Sequence, residues 1–157
     1  MSVDTGKVTG RRQLQFNTID EILADVERLN QGQIKTLGNW SSGQVVKHLT
    51  ILMTASLDGF KHQAPWFIRV VGMFMKKRLL TKPMSAGFEL PKKAAADLVP
   101  GPTEWADAVR QFREVVRRLQ TDEKRMPSPF LGTLTREEWD RLHCRHAELH
   151  LSFLVPG

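Results

Sequence analysis

Three segments of this 157-residue sequence open with a hydroxyl residue that is followed three positions later by Glu or Gln. The pairs are Thr18 with Glu21, Ser41 with Gln44, and Thr135 with Glu138. This spacing is typical of a capping box, in which the two side chains bond backbone N–H groups at the start of a helix. Apolar residues then recur at intervals of three and four, so each pair predicts the start of an amphipathic helix.

Two further helices are predicted between the second and third pairs. One begins at Pro65, a residue suited to a first helical turn, and runs to about Leu79. The other is capped by Thr103 and carries an apolar stripe from Trp105 to Leu119. No segment shows the sustained alternation of a strand, so the sequence predicts an all-α fold with about four or five helices.

A long connection separates the helix that ends near Leu79 from the one that begins near Thr103. The stretch from Thr81 to Pro102 contains four prolines and two glycines, which favour a loop. At most a short helical turn is expected, from Lys92 to Asp97. Residues 1–13 are expected to form a loose tail. The length of the whole chain, residues 1–157, predicts a single domain.

The composition narrows the classes of partner. Hydrophobic residues make up 41% and charged residues 25%, a globular profile. The net charge of +6 makes nucleic acid worth considering. The basic residues are scattered, however, in four short groups: Lys76-Lys77-Arg78, Lys92-Lys93, Arg117-Arg118 and Lys124-Arg125. With no tyrosine and no basic–aromatic run to stack bases, we expect no nucleic-acid partner.

The location is inferred from three features of the sequence. The pair Arg11-Arg12 is not followed by the apolar stretch that a twin-arginine export signal requires. The most apolar segment, Trp66 to Met75, is interrupted by Arg69 and is far shorter than the roughly 20 residues of a membrane span. A single cysteine, Cys144, excludes an intrachain disulfide. We therefore expect a soluble, cytoplasmic protein with no membrane partner.

Three histidines are candidate metal ligands. His146 and His150 lie four residues apart on the last helix, which places two imidazoles one turn apart on one face. His48 lies among the inward apolar residues of the second helix. Two helices therefore bring three imidazoles toward the interior, where helical bundles build their metal sites.

Other interpretations of the histidines remain open at this point. A histidine on an apolar face is often a core residue whose nitrogens find hydrogen bonds. His143 lies on nearly the same face as His146 and His150, so it could replace His48 as a ligand or orient a ligand from behind. His62 follows Gly59 in a predicted turn and is expected to be exposed.

The sequence resembles the DUF1569 family, which belongs to the DinB/YfiT-like superfamily. The stretch Gly38 to Gln44, followed by His48-Leu49, looks like the second-helix signature of that family. Trp139 to His143 and His146 to Leu154 resemble its C-terminal signature, and the segments Arg12 to Phe16 and Leu57 to Phe60 fit as well.

The resemblance implies a DinB-like up-down four-helix bundle with a long loop between the third and fourth helices. It also implies a metal triad of His48, His146 and His150, the three residues that the helical faces select, and a homodimer. One departure is that Ser152-Phe153 follow the last histidine, where many superfamily members have Gly-Gln. We therefore expect a more apolar pocket and a different substrate.

Three neutral imidazoles leave a Zn²⁺ or Ni²⁺ ion an open position, which is the mark of a catalytic site. Such an ion can activate water or a thiol. The resemblance favours a low-molecular-weight thiol, because relatives include thiol-dependent transferases and a mycothiol-dependent isomerase. We therefore expect a metal- and thiol-dependent transferase or a metal-dependent hydrolase that acts on an unknown small molecule.

No general base is assigned from the sequence, and His143 is the preferred supporting residue. Glu148 is turned to the opposite face of the helix and is expected to be solvated or salt-bridged. Asp58 and Glu89 are possible because each flanks a loop. Cys144 points away from the ligand stripe and is expected to be an ordinary buried thiol.

The alternative function is a non-catalytic module that binds a small molecule or forms a dimer. The apolar segment from Trp66 to Met75 could line a ligand cavity or a dimer face. Stripes of Met and aromatic residues are more often core, however, and we expect this segment to belong to the core.

Overall fold

The computed structural model describes residues 2–89 and 92–157, and the backbone alone of Ala94. In these ranges the chain forms six α-helices, one two-stranded antiparallel sheet and a short 3₁₀ turn at Thr5–Lys7. The helices are α1 (Ile19–Leu29), α2 (Ser42–Asp58), α3 (Trp66–Thr81), α4 (Lys92–Leu98), α5 (Trp105–Thr121) and α6 (Arg136–Leu151). The strands are β1 (Ile34–Thr36) and β2 (Leu154–Pro156). The predicted all-α class is confirmed, and the small sheet is an addition that the sequence did not predict.

The predicted helix starts are confirmed at α1, α2 and α6. At α2 the Ser41 hydroxyl accepts a hydrogen bond from the Gln44 backbone N–H, and the Gln44 side chain accepts one from the Ser41 N–H. Thr135 and Glu138 form the same reciprocal pair at α6. At α1 the Thr18 hydroxyl accepts from the Glu21 N–H, which is half of the box.

The start of α5 differs from the prediction. Glu104, and not Thr103, is the N-terminal cap residue, and the Thr103 hydroxyl donates instead to the carbonyl oxygen of Gly101. The reason is a close tertiary contact, since a Cβ placed on Gly43 of α2 would lie 2.0 Å from the carbonyl oxygen of Thr103. The chain before α5 is therefore pressed against the first turn of α2.

The main core is enclosed by α1, α2, α5 and α6. Its fully buried side chains include Ile22, Val26, Val46, Leu49, Met53, Phe112, Val116 and Leu151. A second, smaller cluster lies between α3 and the first half of α6, and it contains Leu80, Leu131, Leu134, Trp139 and Leu142. The four helices of the main core position the histidines.

The expectation that the segment from Trp66 to Met75 belongs to the core is wrong. Trp66 is 76% exposed, Met73 69% and Phe74 84%. Within α3 the buried residues are Gly72 and Leu80. At Gly72 the helix approaches a neighbouring loop so closely that a Cβ would lie 2.2 Å from the carbonyl oxygen of Phe130. Helix α3 thus packs along a narrow edge and leaves its wide apolar face open.

The expectation of a loose N-terminal tail is wrong for Arg11 and Arg12. The Arg12 guanidinium forms two hydrogen bonds to the carboxylate of Asp25, at 2.8 and 2.7 Å. Its backbone N–H donates to Ser152 at 2.9 Å, and Arg11 Nε donates to the Ser152 hydroxyl at 3.0 Å. The Asp25 side chain is buried, and burying a carboxylate without a partner is costly, so this pairing fixes the segment.

The two short strands join distant parts of the chain. Ile34 pairs with Pro156 and Thr36 with Leu154, so β1, which follows α1, is held against β2, which follows α6. The last helix ends at Leu151, and β2 follows it after two residues. Each strand has three residues, too few for strand alternation to be seen in the sequence.

The long connection contains one short helix, α4, one residue longer than the predicted turn. Pro91, one of the prolines that predicted the loop, lies outside the described residues. In the part of the chain that the structure describes, no helix has both the length and the apolar character required to cross a membrane.

Candidate metal centre

Helices α2 and α6 bring three imidazoles together. His48 lies near the middle of α2, while His146 and His150 lie one turn apart near the end of α6. One ring nitrogen from each lies within 4.8 Å of the other two. His48 is buried, and His146 and His150 are partly exposed. The structure therefore assembles the three residues that the sequence selected as metal ligands.

The spacing of the rings suits a single ion. The centroid of the His48 ring lies 4.9 Å from that of His146 and 4.5 Å from that of His150. The Nε2 atoms of His48 and His146 are 3.1 Å apart. Two nitrogens bound tetrahedrally to one zinc ion, each at 2.0–2.1 Å, are separated by about 3.3 Å. The nitrogens of His48 and His146 are thus already near the separation that one ion requires, and a nitrogen of His150 lies within 4.8 Å of the other two ligands.

The backbone of α4 orients His48. Its Nδ1 atom lies 2.7 Å from the carbonyl oxygen of Leu98, which can only accept a hydrogen bond. Nδ1 must therefore carry the proton, which leaves the lone pair of a neutral His48 ring on Nε2, the atom that faces His146. This is the tautomer that a metal ligand requires.

The surroundings keep the three rings neutral. Loss of hydration, followed by the mutual repulsion of the rings, holds the pKa of His146 well below its usual value. Loss of hydration, with smaller effects from His48 and Arg11, lowers the pKa of His150 to about 3. The pKa of His48 is also lowered by burial, and its hydrogen bond to Leu98 opposes this shift. Near neutral pH each of the three rings is therefore neutral, the form that a metal ion binds.

Trp40 forms an aromatic wall of the site. Its ring stacks on His150 with centroids 5.6 Å apart and planes 14° apart, and its centroid lies 4.9 Å from that of His48. Trp40 was not predicted to belong to the site. The available signal was its position immediately before the cap of the helix that carries His48.

His143 is not part of the cluster. Its Nε2 atom lies 3.0 Å from the hydroxyl of Ser56, which itself donates to the carbonyl oxygen of Met53. Its ring stacks on Trp139 with centroids 5.2 Å apart. His143 therefore does not replace His48, and among the described residues it forms no hydrogen bond to the three rings. The exposed His62 pairs with Asp97 at 2.7 Å, as expected of a residue outside the site.

The candidate general bases are engaged elsewhere. The Glu148 carboxylate is buried, accepts from the Phe16 N–H and forms a 2.7 Å ion pair with Arg145, so it is salt-bridged and not solvated. Asp58 pairs with Arg118 at 2.6 Å, ten residues beyond His48 on the same helix, which is about 15 Å along the axis. Glu89 is exposed.

Cys144 is a buried thiol, as the sequence predicted. Burial raises its pKa to about 12, because the surrounding apolar groups disfavour the thiolate. The positive charge of Arg145 opposes this shift without reversing it. Cys144 is therefore neither a nucleophile nor a metal ligand near neutral pH.

The chain matches a protein-family model over nearly its whole length. The model is described as "Protein of unknown function (DUF1569)", and the match covers residues 8–157. The chain belongs to the DUF1569 family. No curated protein and no solved structure matches it significantly. All three histidines of this DUF1569 protein, and the Arg12 segment that was expected to be loose, lie inside the matched range.

Proposed function

We propose that this protein binds one divalent transition metal ion through His48, His146 and His150 and uses it to activate a small thiol or water. The observation that carries the proposal is the convergence of three ring nitrogens within 4.8 Å of one another. The tautomer of His48 and the depressed pKa values of the rings support it, since each favours a neutral nitrogen ligand.

Three histidines suit zinc or nickel, because imidazole is a ligand that both ions accept. Three protein ligands leave at least one position for an exogenous group, and a divalent ion held there would lower the pKa of bound water to near 7 or deprotonate a bound thiol. A transferase that uses a low-molecular-weight thiol is the leading reaction class, and hydrolysis is the next.

The chain contributes orientation and exclusion of water to this chemistry. The Leu98 carbonyl holds His48, and Trp40 covers one side of His150. Within the described residues the group of possible metal ligands consists of the three histidines, and the candidate carboxylates bind arginine or face solvent. Activation of the thiol or water is therefore assigned to the metal, without a protein base.

We also propose that α1, α2, α5 and α6 form a DinB-like four-helix bundle with α3 packed outside it. The main core is built from these four helices, and they carry every candidate ligand. The long connection of this bundle is then residues 59–104, between its second and third helices (α2 and α5), and it contains α3 and α4; the resemblance had placed the long loop between the third and fourth helices.

Elemental analysis tests the metal site. Protein purified without a histidine tag is expected to carry about one zinc or nickel ion per chain. His48→Ala, His146→Ala and His150→Ala should each abolish this, while His62→Ala, an exposed histidine, should retain it. Retention of metal by His48→Ala together with its loss in His143→Ala would show that the ligand assignment is wrong.

Turnover tests the reaction class. The metal-loaded protein is expected to join one of several low-molecular-weight thiols to an electrophile, or to hydrolyse an activated ester, and the ligand variants should be inactive. Activity that survives removal of all three histidines would reject the mechanism. A metal-loaded protein that turns over none of these substrates supports the alternative of a non-catalytic module.

A further inference from the structure

Helix α3 exposes a large apolar face. Six of its side chains are between 43% and 84% exposed: Trp66, Phe67, Val70, Val71, Met73 and Phe74. Soluble proteins rarely leave so many large apolar side chains together in water, so a face of this kind marks a binding surface. Nothing in the described part of the chain covers it.

The apolar face is wide. With 3.6 residues per turn, the exposed apolar residues from Met73 round to Ile68 cover roughly 220° of the helix circumference. The edge that packs against the protein carries Gly72, Leu79 and Leu80. A single helix of a protein partner covers a narrower strip, whereas the boundary between lipid headgroups and acyl chains surrounds a helix on several sides.

The charges of α3 are of one sign. Between Trp66 and Thr81 the chain has four basic residues and no acidic residue. Lys76 pairs with Glu138 at 2.8 Å. Arg69, Lys77 and Arg78 are exposed, and in the described ranges none of them has a carboxylate within ion-pair distance.

Helix α5 provides a comparison within the same chain, because it also carries four arginines. Each of these arginines has a carboxylate partner: Arg110 with Asp107, Arg113 with Glu27, Arg117 with Glu114, and Arg118 with Asp58. The arginines of α5 are neutralised within the protein, whereas Arg69, Lys77 and Arg78 of α3 are available to an external anion.

We propose that α3 is a membrane-surface helix that lies in the headgroup region of an anionic bilayer. Trp66, Phe67 and Phe74 insert at the boundary, and the long side chains of Lys77 and Arg78 reach the lipid phosphates. We expected no membrane partner because no segment of the sequence is long and apolar enough to span a bilayer. That argument does not apply to a helix that lies on the surface of a membrane. A second copy on this face would instead bring two sets of unpaired cations into one interface.

Vesicle flotation of the full chain tests the proposal. The protein is expected to float with vesicles of equal parts phosphatidylcholine and phosphatidylglycerol, and not with phosphatidylcholine alone. Lys77→Glu with Arg78→Glu should weaken binding at least about tenfold, because each cation near an anionic surface contributes a factor of about five. Arg110→Glu with Arg117→Glu changes the net charge equally on arginines that are already paired, and it should change binding by less than about twofold.

Two further variants test the apolar part. Phe74→Glu, at the most exposed position, should abolish flotation without changing the fold. Trp66 fluorescence should shift to shorter wavelength on anionic vesicles, and Trp66→Phe should remove the shift because Trp139 is buried and Trp40 and Trp105 are partly buried.

Three outcomes would overturn the proposal. One is no flotation with anionic vesicles. Another is an equal loss of binding in the α5 control, which would show an effect of net charge alone. The third is a dimer in sedimentation equilibrium that Phe74→Glu dissociates while vesicles do not bind, which would show that a second copy occupies this face.

Discussion

The carbonyl oxygen of Leu98 and the Nδ1 atom of His48 lie 2.7 Å apart, although 50 residues separate them in the chain. One turn earlier on α2, the side-chain Nε2 of Gln44 donates to the carbonyl oxygen of Pro100 at 3.1 Å. The connection between α3 and α5 is therefore bound to two successive turns of the helix that carries His48. Orientation of His48 depends on this attachment.

Gln44→Glu is expected to weaken metal binding about tenfold, the lower end of the effect of losing a group that orients a ligand. Glutamate still accepts from the Ser41 N–H and keeps the capping box, but it cannot donate to Pro100. Competition with a chelating dye measures the affinity. Glu21→Gln, a change at the start of α1, is the control and should leave the affinity unchanged. An unchanged affinity in Gln44→Glu would disprove the coupling.

Arg12→Ala is expected to lower the free energy of unfolding by about 3 kcal/mol, because it leaves the buried Asp25 carboxylate without its main partner. Burial alone would raise the pKa of Asp25, but hydrogen bonds from Arg12 and Arg28 outweigh it and lower that pKa. Arg28→Ala removes the more exposed partner and should cost less than about 1 kcal/mol. Urea denaturation of both variants checks the difference, and equal losses would contradict it.

His143 is expected to make the metal-free protein less stable as the pH falls. Burial, with a smaller effect of the charge on Arg125, lowers its pKa to about 3, whereas in the unfolded chain the value is about 6.5. Between these two pKa values the unfolded chain binds a proton at His143 and the folded protein does not. The free energy of unfolding is therefore unaffected by this group above about pH 6.5 and decreases as the pH falls toward about 3. Within that range His143 alone lowers the free energy of unfolding by about 1.4 kcal/mol for each pH unit.

His143→Phe isolates this contribution, since phenylalanine preserves the stacking on Trp139 and cannot take up a proton. With chelator present, the unfolding free energies at pH 6 and pH 5 should differ less in the variant than in the parent protein, by about 1.2 kcal/mol. The histidines of the cluster contribute equally to both proteins and cancel. Identical pH dependence in the two proteins would show that His143 is protonated in the folded state.

Gly43→Ala is expected to destabilise the protein by at least about 2 kcal/mol. The new Cβ would meet the carbonyl oxygen of Thr103 at 2.0 Å, and neither backbone can yield without moving α2 or α5. The better helix propensity of alanine, roughly 1 kcal/mol, offsets only part of this cost. Gly101→Ala, where no atom lies within 4 Å of the added Cβ, should change stability by less than about 0.5 kcal/mol. Thermal unfolding of the two variants compares them directly.

The helix starts and the histidine set were predictable because both depend on local spacing. A cap needs residues three apart, and a chelating pair needs residues four apart, so Thr135 with Glu138 and His146 with His150 are visible in the sequence. His48 was identifiable from the apolar face around it. The family match agrees with the resemblance seen in the two histidine motifs.

What escaped prediction depends on contacts between distant segments. The β1–β2 pairing, the Arg12–Asp25 ion pair and the approach of Thr103 to Gly43 each join residues that share no local pattern. The exposure of α3 escaped for a different reason. An apolar helix has the same sequence pattern whether its face packs on the core or binds an external partner. The sequence around Phe74 therefore does not distinguish the two cases.

The β1–β2 ladder makes Trp40 and His150 parts of one rigid unit. Trp40 follows β1 by four residues, His150 precedes β2 by four, and the Leu37 N–H extends the pairing to the carbonyl oxygen of Phe153 at 2.9 Å. This side of the histidines behaves as a fixed frame. Residues 98–100 contact the site separately, through their hydrogen bonds to Gln44 and His48 of α2, so a shift of this segment would change the orientation of His48 and leave the Trp40–His150 side in place.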